Sequence, residues 1–233
     1  MQETTLERLI EARRAKRPAA VLRWLDSGRE ALIVAGEVVV GAPQADPVLR
    51  ALTAAHRRDK GATIQTDDGP LFIQIFNPPL RLIVVGAVHI SQALVPMASL
   101  CGYDVTVVDP RRAFASDARF PGVDVRQDWP DDALAELRPD ARTAVVTLTH
   151  DPKLDDPALD LALSSDAFYI AALGSKRTHA GRLERLGALG HDHVALARIH
   201  GPAGLPIGAV SPAEIALSVM AEMTRVLRLE GEA

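Results

Sequence analysis

In YIAALGSKRT, residues 169 to 178, an apolar strand-like run breaks at Gly174 and is followed at once by Ser175, Lys176 and Arg177. A strand that ends in Gly-Ser and hands over to a basic helix start gathers free backbone N–H groups, a hydroxyl and two cations around one point. That combination suits an anionic ligand such as a phosphate. The alternative for Lys176 and Arg177 is an ordinary solvated helix face. In TLTHDPKLDDPAL, residues 147 to 159, a strand ends in Thr149, His150 and Asp151. His150 can donate, accept or exchange a proton near neutral pH, or simply bond backbone in a tight turn. In that plainer reading Pro152 delays the next helix, which Asp155 or Asp156 caps.

A further junction lies in RLIVVGAVHISQAL, residues 81 to 94, where a strand gives way to Gly86-Ala87-Val88-His89-Ile90-Ser91. With Asp109 ending the next strand about 20 residues on, this approaches a dinucleotide-binding fingerprint. Two of its glycines are replaced. Val88 puts a side chain where the backbone must approach a pyrophosphate, and Ser91 replaces the helix-packing glycine. His89 at the helix start either contacts a ligand or serves the cap.

These loops need a common scaffold, and the pattern supplies one. From residue 81 onward strand and helix signals alternate: strand 82 to 86, helix to Leu100, strand 104 to 108, helix 131 to 137 and strand 143 to 148. Helix 156 to 163, strand 167 to 172 and helix 176 to 187 continue the series. Such alternation implies an α/β fold, a doubly wound parallel sheet whose ligands sit beyond the carboxyl ends of the strands. The last helix has Ser211 as N-cap, Pro212 at its first position and Glu214 to close a capping box. Its face Ile215, Val219, Met220, Met223 and Val226 reads as core or dimer interface. The tail loop 201 to 210 either lets backbone approach a ligand or turns a tight corner.

Residues 1 to 77 read as a small α+β domain, and 81 to 229 as the doubly wound one. The first holds an amphipathic helix (Leu6, Leu9, Ile10), strands at 19 to 25, 31 to 35 and 37 to 40, and a helix from Pro47 to Arg58. A hairpin follows around Asp67-Asp68-Gly69. Asn77-Pro78-Pro79 stiffens the chain and marks the boundary.

The 233 residues carry 26 basic and 30 acidic side chains with no long basic block, which argues against nucleic acid as main partner. The uncharged run from Leu82 towards Asp104 approaches the length of a membrane span, but Gly86, His89, Gln92 and Pro96 interrupt it, so no span is expected. One cysteine, Cys101, excludes an internal disulfide and reads as a buried helix-end thiol. His191-Asp192-His193 lacks a third ligand, so no metal site is expected. The N-terminus lacks the order of a signal peptide, and the expected compartment is the cytoplasm.

The segments DPRRAFASDARFP (109 to 121), LTHDPKLDDPAL (148 to 159), YIAALGSKRT (169 to 178) and GPAGLPIGAVSPAEIALSVMAEM (201 to 223) together resemble the XdhC/CoxI family. Its members are accessory proteins of xanthine dehydrogenase and related molybdenum hydroxylases. The resemblance implies a Rossmann-like domain in a homodimer that binds the molybdenum cofactor, molybdopterin, as cargo and helps insert it into an apo molybdenum hydroxylase of the xanthine or carbon monoxide dehydrogenase type. This chain departs from the family's glycine turn at Val88. It also has Gly41-Ala42-Pro43-Gln44 where long members carry a glycine-rich SGGC segment, so that domain offers no thiol to molybdenum. A divergent member of the CoxF sort fits these departures.

On this reading Gly86, His89 and Ser91 line one wall, Asp109 and Arg111 contact a distal group, and His150, Asp151, Gly174, Ser175 and Lys176 hold the phosphate side, with no catalytic residue. A second reading is an NAD(P)-dependent oxidoreductase with His150 as acid-base group. A third is an interaction protein that kept the scaffold and lost the ligand.

Overall fold

The computed structural model describes residues 2–116 and 118–229. The chain divides into two compact units, Met1–Pro78 and Pro79–Ala233. The first contains α1 (Glu3–Arg14), β1 (Ala19–Trp24), β2 (Glu30–Val34), β3 (Glu37–Val40), α2 (Asp46–Arg58), β4 (Ala62–Thr66) and β5 (Gly69–Phe76). Among the described residues its five strands form an antiparallel sheet in the order β3-β2-β1-β5-β4. Side chains alternate across the pleat, so Ala20, Leu22 and Trp24 of β1 pack with Val48, Leu52 and Ala55 of α2. Ala19 and Val21 pack on the opposite face with Leu9 and Ala12 of α1. Leu6 and Ile10 of the expected α1 stripe are exposed, because α1 is buried through Thr5, Leu9 and Ala12 instead.

The second unit contains β6 (Leu80–Val85), α3 (His89–Leu100), β7 (Tyr103–Val108), β8 (Asp124–Arg126), α4 (Pro130–Leu137) and β9 (Thr143–Thr147). It continues with α5 (Pro152–Leu163), β10 (Tyr169–Ala172), α6 (Lys176–Ala188), α7 (His193–Leu196), β11 (Ile199–His200) and α8 (Pro212–Leu229). Among the described residues the sheet is six-stranded and parallel, in the order β11-β10-β9-β6-β7-β8. The chain starts in the middle, winds outward through β7 and β8, and returns to wind the other way through β9, β10 and β11. This is the Rossmann strand order, and β6 and β9 flank the switch point at which such folds bind ligands.

The strands are apolar on both sides because helices cover both faces. Leu82 and Val84 of β6, with Val146 of β9, pack towards α8 residues Val219, Met220 and Met223. Ile83 and Val85, with Val145, pack with Leu159 and Leu163 of α5 and Leu186 of α6. Three elements without a sequence signal, β8, α7 and β11, span three, four and two residues. Such lengths show no periodicity.

Two expectations are corrected. Pro152 does not delay α5. It occupies the first turn, where its missing N–H leaves no bond unmade, and the cap is Asp151 rather than Asp155 or Asp156, its side chain accepting from the Lys153 N–H at 3.0 Å. Cys101 is exposed rather than buried, because α3 ends at Leu100 and the chain turns away there. The capping box of α8 forms as read: the Ser211 N–H donates to Glu214 Oε2 at 2.8 Å, and the Glu214 N–H to Ser211 Oγ at 3.3 Å. Among the described residues no helix is long and apolar enough to cross a membrane. The uncharged run of the sequence is instead the end of β6 and the whole of the 12-residue α3.

The tail loop after β11 is tied down through Glu222 on α8. One oxygen, Oε2, accepts from the buried Tyr169 hydroxyl at 2.7 Å and from the Gly204 N–H at 2.9 Å. The other lies 3.4 Å from His200 Nδ1. Burial, reinforced by the Glu222 carboxylate, pushes the Tyr169 phenol above its ordinary range. Replacing Glu222 by Ala leaves a buried hydroxyl and an amide without an acceptor. The expected cost is about 2–3 kcal/mol, read by thermal unfolding as a melting temperature roughly 4–12 °C lower.

Candidate functional site: loops at the carboxyl edge of the parallel sheet

Each loop that carries a sequence-predicted site residue leaves the carboxyl end of a strand, and buried polar side chains join the loops from below. At the end of β6, Gly86 has φ +113°, and a Cβ there would stand 2.7 Å from the Thr149 Cγ2 methyl and 3.3 Å from the Thr149 nitrogen. Glycine is therefore required both for the turn and for the close passage of the two switch-point loops. Thr149 in turn donates its hydroxyl to Asp155 Oδ1 at 2.7 Å. Asp155 is 1% exposed, and its Oδ2 lies 3.7 Å from Nη2 of Arg182, which is 2% exposed. The same Nη2 donates to the Leu173 carbonyl at 2.9 Å, just ahead of Gly174. A chain of contacts thus runs from Gly86 through Thr149, Asp155 and Arg182 to the loop between β10 and α6.

Burial pushes the Asp155 carboxyl above its ordinary range, against the Thr149 hydrogen bond and the Arg182 charge. Neither partner is fully satisfied, since Asp155 Oδ2 and Arg182 Nε and Nη1 make no hydrogen bond among the described residues. Next to them His179 packs its ring on Gly201, with Nδ1 likewise unbonded. Burial and the Arg182 charge hold the His179 imidazole below its usual value.

Asp109 is fully buried, and its two oxygens are bound internally. Arg111 donates Nε to Oδ1 at 2.9 Å and Nη2 to Oδ2 at 2.8 Å, while the Ala87 N–H reaches Oδ2 at 2.8 Å. Burial raises this carboxyl, but the Arg111 guanidinium and the Ala87 and Arg111 amides outweigh it and hold it below the ordinary carboxylate range. The position that reads a ribose in dinucleotide sites thus fastens the glycine turn to the end of β7. Ser91 is also internal: its hydroxyl donates to the Gly86 carbonyl and accepts the Val88 N–H at 3.0 Å. The Gly86 N–H bonds the Val108 carbonyl at 2.8 Å. With the amides of Gly86, Ala87 and Val88 all engaged, and Val88 carrying a side chain, this loop does not fit a dinucleotide pyrophosphate.

The surfaces left open are His89, His150, Ser175 and Lys176, with Arg111 and Asp151 half-buried. His150 holds φ +61°, a left-handed conformation uncommon outside glycine, and its ring is exposed at the end of β9. Gly174 has φ +149° and lies against Thr178, where a Cβ would stand 3.2 Å from the Thr178 Cβ and Cγ2. Ser175 caps α6, its Oγ accepting the Thr178 N–H at 3.1 Å. Lys176 and Arg177 are exposed, and their side chains form no hydrogen bond or ion pair among the described residues. The loops share one electrostatic field. Arg111 is raised first by its bond to Asp109, and the charges of Asp151 and Asp155 add to this.

Sequence reasoning missed Arg182 and treated Asp155 only as a cap. The available signal was that 179, 182 and 186 share a helix face and Leu186 is fully buried, which turns Arg182 inward. The histidine pair at 191 and 193 is not drawn together: His191 bonds Asp160 at 2.5 Å and Asp192 caps α7. Among the described residues no group of three or more His, Cys, Asp or Glu could hold a metal ion.

Removing Arg182 tests whether the buried pair holds the loops. Arg182→Met leaves Asp155 buried without its counter-charge, and the expected loss near neutral pH is about 3–5 kcal/mol. A carboxyl raised in the folded state binds its proton more tightly there than in the unfolded chain, so stability rises as pH falls from the folded value towards the unfolded one. The deficit of Arg182→Met relative to wild type is therefore expected to shrink between pH 7.5 and pH 5 in thermal unfolding, both taken as approximate set points for that titration.

The model of the XdhC Rossmann domain family matches residues 82–223. The molybdenum cofactor insertion chaperone PaoD of Escherichia coli K12 is 34% identical over 151 residues, which cover 65% of this chain and 41% of that protein. A Bacillus subtilis 168 protein named as a probable subunit of xanthine dehydrogenase is 34% identical over 154 residues, 66% of this chain and 44% of that protein. The chain spans less than half the length of these curated relatives. A crystal structure of a Bacillus halodurans protein described as a xanthine dehydrogenase matches 99% of this chain and 66% of its own with a TM-score of 0.70 and 25% identity. The sheet order, the loops at its carboxyl edge and the match across most of the second unit lead to one assignment: the chain belongs to the XdhC Rossmann domain family.

Proposed function

We propose that this chain is an accessory protein that binds the molybdenum cofactor as cargo across the carboxyl ends of β10, β9 and β6 and helps insert it into an apo molybdenum hydroxylase of the xanthine or carbon monoxide dehydrogenase type. The observation that carries this reading is the pair of uncommitted cations, Lys176 and Arg177, at the start of α6 behind Gly174 and Ser175. Backbone amides, the helix dipole and two side-chain charges act together on an anion there, which suits the cofactor's phosphate. His150, Asp151 and His89 face the remainder of the ligand. Gly86, Ser91 and Asp109 hold the wall rather than touch the cargo. The names of the Escherichia coli and Bacillus subtilis relatives support an accessory role beside a molybdenum enzyme. Residues 81–229 act as the cofactor-binding domain and 1–77 as a separate one, in a cytoplasmic homodimer. No covalent step is assigned to any side chain.

The NAD(P) oxidoreductase reading is less well supported, because the amides and the carboxylate such a cofactor needs are already bonded within the protein. An anaerobic titration of the purified chain with molybdenum cofactor, with NADH as competitor, separates the readings through native mass and thermal shift. Stoichiometric binding that NADH does not displace is expected. Lys176→Glu is expected to weaken it about ten- to a hundredfold, since a hydrogen bond to a charged group contributes about 1.5–3 kcal/mol. Equal affinity in wild type and Lys176→Glu removes the anion cradle, NADH binding alone moves the assignment to a dehydrogenase, and binding of neither leaves a scaffold without a ligand.

A further inference from the structure

At the start of α4 the chain sets a tryptophan where a capping side chain belongs. Trp129 is the N-cap residue of α4, extended at φ −63° and ψ 145°, and its side chain accepts no helix N–H. Ser, Thr, Asp and Asn are favoured there because their oxygens accept such an N–H, and an indole offers no acceptor. Nor does the core use the ring. Trp129 is 54% exposed, lies outside the core clusters and makes no side-chain hydrogen bond or ring contact among the described residues. The chain's other tryptophan, Trp24, is 4% exposed and packs with α2. A large residue that breaks the local rule without a gain in packing marks a contact made by the folded surface.

The charge around the ring indicates what it meets. Between residues 124 and 136 stand five carboxylates, Asp124, Asp128, Asp131, Asp132 and Glu136, and one cation, Arg126. Arg126 pairs with Asp124 and Glu136. Asp128, Asp131 and Asp132 are exposed, and their carboxylates form no ion pair among the described residues. Asp131 and Asp132 also suit the helix dipole, which accounts for their place but not for the indole. An aromatic face within a surplus of negative charge attracts a cation, arginine above all, through the ring quadrupole and the carboxylates together. The same pairing occurs inside this molecule, where the Arg29 guanidinium lies 3.9 Å from the centre of the Trp24 ring.

We infer that Trp129, with Asp128, Asp131 and Asp132, is a docking surface for an arginine-bearing basic segment of a partner protein. A guanidinium of that segment stacks on the indole, and the carboxylates hold its neighbouring cations. The patch follows the carboxyl end of β8, the outermost strand of the sheet, four strand spacings or about 19 Å from β10. A partner seated there borders the same sheet edge as the loop before α6 without occupying it. The surface does not depend on the identity of any cargo, and its test needs none.

Isothermal titration of the full chain with a short peptide of alternating arginine and glycine, and with glutamine replacing arginine as the uncharged control, measures the surface directly. Binding of the arginine peptide alone is expected, weakening as salt rises, with the emission of the exposed Trp129 moving to shorter wavelength. Trp129→Ser is expected to weaken binding about three- to thirtyfold. The same variant is expected to keep the melting temperature or raise it by up to about 4 °C, since serine supplies the absent cap. Trp129→Phe is expected to recover part of the affinity. No binding, equal binding of the glutamine peptide, or an affinity that survives Trp129→Ser overturns the proposal. So does a lower melting temperature in Trp129→Ser, which makes the ring structural. A dimer in native mass spectrometry that Trp129→Ser dissociates assigns the ring to a second copy and overturns it too. Failure of the cofactor reading leaves these outcomes unmoved, and failure here leaves Lys176 and the cargo site standing.

Discussion

The site depends on the buried contact between Asp155 and Arg182. Both side chains are almost fully buried, and at 3.7 Å the two are paired by charge rather than by a hydrogen bond. A buried pair of this kind adds little net stability, because desolvation offsets most of the attraction. Its effect is geometric. Asp155 holds Thr149, which lies against Gly86, and Arg182 holds the Leu173 carbonyl, so the ends of β6, β9 and β10 are set in one arrangement by side chains from α5 and α6. Loops fixed from beneath can leave their upper surface polar and uncommitted without losing their shape.

That division between fixed underside and open surface also separates the readings of the site. The glycine turn after β6 has committed its polar groups internally: Asp109, Ser91 and the Arg119 guanidinium hold the backbone of residues 86 to 88. The loop after β10 commits the Leu173 carbonyl to Arg182 and the Ser175 hydroxyl to the cap of α6, and among the described residues the side chains of Lys176 and Arg177 stay uncommitted. On the proposed reading, anion binding therefore falls to the loop after β10 rather than to the first loop, where the dinucleotide folds usually place it. Val88 is compatible with this arrangement, since nothing needs to approach the backbone there.

Much of the fold was legible in the sequence, because its signals are local. Alternating apolar strands and helices gave the doubly wound sheet, Ser211 and Glu214 marked the start of α8, and Gly86 and Gly174 marked turns whose positive φ angles need glycine. What could not be read depends on contacts between distant residues. Asp109 looks like a ligand residue in sequence, and only the approach of Arg111 and Ala87 shows that its oxygens are taken. Arg182 looks like one more charge in a basic helix, and only the position of α6 against Asp155 turns it inward. Pro152 and Cys101 were misread for a simpler reason. A proline is tolerated in a first helical turn, and where a helix ends decides which way its last side chain points.

The most direct test of the account is hydrogen–deuterium exchange of the full chain with and without saturating molybdenum cofactor. Amides in a ligand-ordered loop lose their local openings, so bound segments show slower exchange. The account predicts protection concentrated in residues 86–91, 149–151 and 174–178, the loops of one sheet edge. Saturation of the protein with those segments unchanged, or protection confined to residues 1–77, would place the cargo elsewhere and contradict it.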